Sequence, residues 1–140
     1  MIEIISGEKG KGKTKELLNK VNTSITSATG NIVDLDKSQK HMYELNNKIR
    51  LINVNDFLID NCDEFLGFIC GVISQDHDLE EMYLDSFLTI ASIDSDELLN
   101  HAIQKLDVIS EKYNVKFILS VSKDESKLTD IAKAKIVISL

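Results

Sequence analysis

Gly7-Glu8-Lys9-Gly10-Lys11-Gly12-Lys13-Thr14 spells G-x4-G-K-T, a residue pattern suited to holding a polyphosphate. Its glycines let the backbone curl so that several N–H groups converge on one anion. The Lys13 ammonium can reach terminal phosphates, and the Thr14 hydroxyl can ligate a magnesium ion. Lys9, Lys11, Lys13 and Lys15 make the local field basic. Glu8 is the exception, and it should point to solvent or pair with a lysine.

A magnesium-bound phosphate needs a second acidic partner at the end of a hydrophobic strand. Asp85, after Met82-Tyr83-Leu84, fits that role and would reach the metal through a water. Ser86 and Phe87 follow it, so the next residue is a poor base. Asp34, Asp36 and Glu8 are the alternatives for orienting an attacking water. Ser120 could face the sheet and bond to backbone. Ser122 with Glu125 reads as a capping box for a following helix.

The remaining polar features carry less chemistry. Asp76-His77-Asp78, with Glu80 and Glu81, resembles a metal-ligand string but should lie at the opposite edge of the sheet, in a solvated turn. His41 and His101 are isolated. Arg50, the only arginine, reads as a strand-flanking surface charge, with phosphate contact in a neighbouring subunit as the alternative. Cys62 and Cys70 lack C-x-x-C spacing and read as reduced core positions.

The elements that must position these residues alternate between strand and helix. Ile2-Glu3-Ile4-Ile5 precedes the loop as a strand, and Leu17, Leu18, Val21 and Ile25 put one buried stripe on a helix over 13–28. Strands are expected at 31–36, 81–87, 115–121 and 135–140. A further β-like run covers 48–54, with Asn46-Asn47 as a candidate hairpin turn before it. Helices are expected over 56–75, from Asp94 (capping with Glu97) to Tyr113, and near 124–133. Continuous apolar strands alternating with helices predict one α/β domain over 1–140, a three-layer sandwich on a mainly parallel sheet. Ligands should gather at the carboxyl ends of its strands.

A net charge of −7 argues against a chain that coats DNA or membranes, while leaving room for a local basic contact with nucleic acid. With a strand at residue 2 and no long apolar run, a cytoplasmic address without membrane insertion is expected.

On the loop and the strand-end aspartate, the chain resembles the P-loop NTPase superfamily, in particular its RecA-like division. The resemblance implies five strands in the spatial order 5-1-4-3-2, with a strand or hairpin over 41–54 as an addition. It also implies Mg2+ with ATP as cofactor, cradled by Gly7, Glu8, Lys9, Gly10, Lys11, Gly12, Lys13, Thr14 and Lys15. Lys13 and Asp85 would act catalytically, and Thr14 and Asp85 would hold the metal. Ser120 or Ser122 would stand where a sensor hydroxyl reads the terminal phosphate. The chain is similar to small bacterial proteins labelled twitching-motility ATPases, without the additional domain of the pilus-retraction motors. With no base after Asp85, hydrolysis is expected to be weak or to depend on a protein partner or homo-oligomer. A transferase similar to corrinoid adenosyltransferases or nucleoside kinases is one alternative, with its acceptor pocket in residues 37–56. A non-catalytic nucleotide-binding regulator is the other. ATP is expected over GTP because no N-K-x-D guanine signature is present.

Overall fold

A computed structural model describes residues 1–140. Six strands, β1 (Ile2–Ser6), β2 (Asn31–Asp36), β3 (Arg50–Asn53), β4 (Leu79–Leu84), β5 (Lys116–Val121) and β6 (Ile136–Ser139), form one sheet in the order β3-β2-β4-β5-β1-β6. Every pairing is parallel. Helices α1 (Lys13–Ser24), α2 (Cys62–Ser74), α3 (Phe87–Ile90), α4 (Asp96–Tyr113) and α5 (Asp130–Lys133) lie between them. This is an α/β fold with a sheet covered on both faces. The strand count and order differ from the five-strand expectation, because β3 pairs outside β2 as a sixth strand.

The period-two alternation of each strand divides the core. Ile4, Val33, Leu35, Met82, Leu84, Phe117 and Leu119 point to one face and join a cluster of 29 buried residues that includes the apolar stripes of α2 and α4. Ile5, Ile32, Tyr83 and Ile118 point to the other face. There they meet Leu17, Val21 and Ile25 in a smaller cluster of 8. Each fully buried Leu, Ile or Phe contributes roughly 1.5–3 kcal/mol relative to exposure, so the thicker layer supplies most of the cohesion. The thin face, covered chiefly by α1, is left for polar groups. Asp34 and Asp36 continue the alternation of Ile32, Asp85 that of Tyr83, and Ser120 that of Ile118.

Several sequence expectations are corrected by local chemistry. No hairpin forms at Asn46-Asn47. Met42–Glu44 is a single 3-10 turn, and β3 runs parallel to β2. The helix expected over 56–75 begins only at Cys62, because the Asn61 side chain accepts from Glu64 N–H while Glu64 accepts from Asp60 N–H. Helix α4 is capped by Ser95, not Asp94; the Ser95 hydroxyl accepts from Leu98 N–H at 3.1 Å. The Ser122–Glu125 box does not form, because Asp124 caps that 3-10 turn. Helix α1 stops at Ser24, where Ser and Thr hydroxyls return to the backbone, as Thr26 does to the Thr23 carbonyl at 2.6 Å. Strand β4 ends at Leu84 and Ser86 takes a left-handed φ of 55°. Cys62 is buried as expected, but Cys70 is exposed.

Candidate phosphate-binding cleft

The loop between β1 and α1 lies at the carboxyl ends of the strands. Gly10 and Gly12 have φ of 86° and 95°, a region that side-chain-bearing residues rarely adopt, and a Cβ at either would meet open space. Their requirement is therefore conformational. Their amides donate to no acceptor in the protein. Gly12 is also the N-cap of α1 and offers no side chain to its first turn. Free loop amides and the orphan N–H groups of that turn together favour an anion.

Lys13 is 93 % shielded, being only 7 % exposed, and its Nζ donates to the Glu8 carbonyl at 3.1 Å. Burial lowers its affinity for a proton, and nearby Asp85 partly restores it. Thr14 Oγ1 donates to Asp85 Oδ2 at 3.0 Å. Residues 71 apart in sequence thus meet because β1 and β4 both flank β5. The other Asp85 oxygen, Oδ1, accepts from the Ser120 hydroxyl at 2.5 Å and from Ser86 N–H at 3.0 Å. Ser86 N–H also donates to Ser120 Oγ at 2.7 Å. Ser120 therefore fixes Asp85, and its hydroxyl is already committed where the resemblance implied a sensor.

These groups open into a cleft of ≈ 610 Å³ with no hydrophobic lining residue. Lys9, Gly10, Gly12, Lys13 and Thr14 form one wall; Asp36, Asp85 and Ser120 lie at its base; Lys37, Ser38, Lys40 and His41 stand opposite. Ser86, Thr89 and Ser122 complete it. Asp36 is buried and its Oδ1 accepts from Lys37 N–H at 2.6 Å. Burial and then Asp85 raise its proton affinity. Asp34 is more enclosed, and burial, Asp36 and Asp85 together raise its carboxyl well above the usual range. Its Oδ1 has no hydrogen-bond partner.

Other residues read from the sequence fall elsewhere. The Glu8 carboxylate points outward, 3.9 Å from Lys127. Lys11 is exposed, and Lys15 lines a neighbouring groove with Thr14, Asn19 and His41. Gly7 packs its backbone against the chain end, where an added Cβ would come within 3.0 Å of Leu140 Cβ. Asp76 and His77 line a separate cavity of ≈ 160 Å³ beside Leu79, before β4 begins its run to the cleft. The Asp76 carboxylate there accepts from Asn31 and from Asp78 N–H, which is turn chemistry. Arg50 is exposed at the sheet edge. His101 lies 3.9 Å from Asp63. Thr89 and Ser38 had no signal in the sequence beyond being polar.

The donors fit a hard cation such as magnesium in one specific way. Thr14 and Asp85 offer two adjacent oxygens, while no group of three or more His, Cys, Asp or Glu could hold a metal by protein ligands alone. Magnesium commonly binds in this manner, keeping waters and sharing phosphate oxygens. No helix is long and apolar enough to cross a membrane. No family model matches the chain, and no curated protein matches it.

Proposed function

We propose that this chain binds a magnesium–nucleoside triphosphate, with ATP as the nucleotide, through the loop Gly7–Thr14. The observation that carries this reading is the 3.0 Å bond between Thr14 and Asp85 beside Lys13, a buried residue whose Nζ is held on the Glu8 carbonyl. It joins the two halves of a phosphate–metal site from distant parts of the sequence. The free amides of Gly10 and Gly12 and the start of α1 would grip the phosphates, with Lys13 neutralising the terminal ones. Thr14 would ligate the magnesium and Asp85 would hold one of its waters; the metal would draw charge from the phosphate oxygens. The proposal extends to the RecA-like division of the P-loop NTPases, whose Lys13, Thr14 and Asp85 equivalents sit in this order.

Hydrolysis is proposed to be weak or to depend on a protein partner or a second copy. Ser86, next to Asp85, has its N–H bound within the Asp85–Ser120 pair. The one other acid lining the cleft is Asp36, a single carboxylate already sharing an oxygen with backbone. Such a site suits a nucleotide-dependent switch or assembly component.

Lys13→Ala is expected to weaken binding of Mg-ATP at least about tenfold, since it deletes a charge-assisted contact worth more than 1.4 kcal/mol. Titration calorimetry on wild type and a folded variant checks this. Equal affinities would remove the loop from nucleotide binding.

A further inference from the structure

The wall facing the loop comes from a different part of the chain, the connection between β2 and β3, and it is anchored independently of any ligand. Asn55 Nδ2 donates to the Lys37 carbonyl at 2.6 Å. Asn22, on α1, donates to the Glu44 carbonyl at 2.8 Å and accepts from Asn46 N–H at 2.8 Å. Ile49 is buried in the thin-face core, with Leu45 packed against it. These ties hold the connection in place, and its Lys37, Lys40 and His41 line the same cleft as the loop.

Its chemistry is that of an anion site in its own right. Lys37 and Lys40, both exposed, line the cleft together with Ser38. His41 Nδ1 lies 2.6 Å from the Glu44 carboxylate. A carboxylate at this contact accepts, so Nδ1 carries the hydrogen and Nε2 is the nitrogen left for another partner. The loop already supplies its own amides, helix terminus and lysine for a triphosphate. A second cationic set across a wide, wholly polar cleft is surplus to that task. Two ammonium groups can each pair with an oxygen of one phosphate, with Asp36 and Asp85 in the same cleft opposing a larger anionic load.

Resting on the triphosphate reading, we propose that the Lys37–His41 wall binds a second phosphate-class anion, free phosphate or a small phosphomonoester, while the loop holds its nucleotide. The two anions would face one another across Asp36 and Asp85.

The full chain, saturated with Mg2+ and the β,γ-imido analogue of ATP, is titrated with inorganic phosphate and, separately, with glycerol 3-phosphate, followed by phosphorus NMR. Phosphate should bind with the analogue in place. The double variant Lys37→Ala/Lys40→Ala should lose at least about tenfold of that affinity, while its affinity for the analogue changes less than about threefold. Tighter binding of glycerol 3-phosphate than of phosphate would identify an ester as the natural occupant, and the reverse order free phosphate. Absence of phosphate binding to the analogue-loaded chain overturns the proposal. So does a tenfold loss of analogue affinity in the double variant, which would mean that these lysines grip the nucleotide's own terminal phosphate. If the analogue fails to bind wild type, the nucleotide reading falls by itself, and the nucleotide-free chain decides the second site. Phosphate binding kept in Lys13→Ala but lost in the double variant supports it; the opposite pattern sinks it.

Discussion

Ser120 spends its hydroxyl hydrogen on Asp85 and a lone pair on Ser86 N–H. Asp85 is thereby held with Oδ1 saturated and Oδ2 turned to Thr14. Removing the hydroxyl frees the carboxylate to rotate and leaves the partly buried Ser86 N–H short of one acceptor. Ser120→Ala should therefore raise the magnesium concentration needed for half-maximal ATP binding at least about fivefold, in line with losing a charge-assisted hydrogen bond. Metal-free nucleotide affinity should stay within about twofold, and Ser120→Thr should restore the wild-type midpoint. Magnesium titrations at fixed ATP measure this; matching midpoints in the Ala variant would reduce Ser120 to a packing residue. The loop and Asp85 were legible in the sequence because each has a local signature. The Ser120 role was not, since it depends on β5 lying beside β4.

At the scale of elements, alternation along the strands was the readable quantity, and the ends of elements were not. Apolar runs at Ile2–Ile5, Asn31–Asp36 and Val115–Val121 announced strands because a parallel sheet buries both faces. The run at 48–54 gave a strand but no partner: whether it folds back on its neighbour or crosses over depends on Ile49 finding the thin-face core. Asp94 and Ser95 are both good caps, and only the resulting α4 orientation chooses Ser95. The Lys37–His41 wall has no motif at all, because its meaning comes from facing a loop on the far side of β4 and β5. The junction of α1 and β2 is the tightest such meeting. A Cβ on Gly30 would stand 2.1 Å from the Asp78 carbonyl and 2.9 Å from Glu80 Cγ, while Gly30 N–H donates to Glu80 at 2.7 Å. Gly30→Ala must push backbone from backbone, at a cost of about 1–3 kcal/mol. Urea unfolding should report that loss with the slope unchanged; a midpoint equal to wild type would mean that the junction yields freely.

For the molecule as a whole, Asp34 links the cleft to acid–base stability. Burial, with Asp36 and Asp85 nearby, raises its carboxyl in the folded chain. The folded state therefore holds the proton more tightly than the unfolded one, whose value is about 3.9. Stability from this group is full below that pH and falls as pH rises through the folded value. Asp34→Asn removes the charge and should raise Tm at pH 7 by at least about 3 °C, the shift that ~1 kcal/mol gives in a domain of this size. The gain should shrink toward zero as the pH is lowered below about 4. Melting curves across that range test it, and a gain independent of pH would assign the effect to shape.

The cleft draws its walls from the carboxyl ends of β1, β2, β4 and β5, four strands widely separated along the chain. Only a stretch reaching from Lys9 to Ser122 contains every residue that lines the cleft. Occupancy would consequently act as a census of the finished architecture: a chain with any one of those strands out of place loses part of the ligand's surroundings.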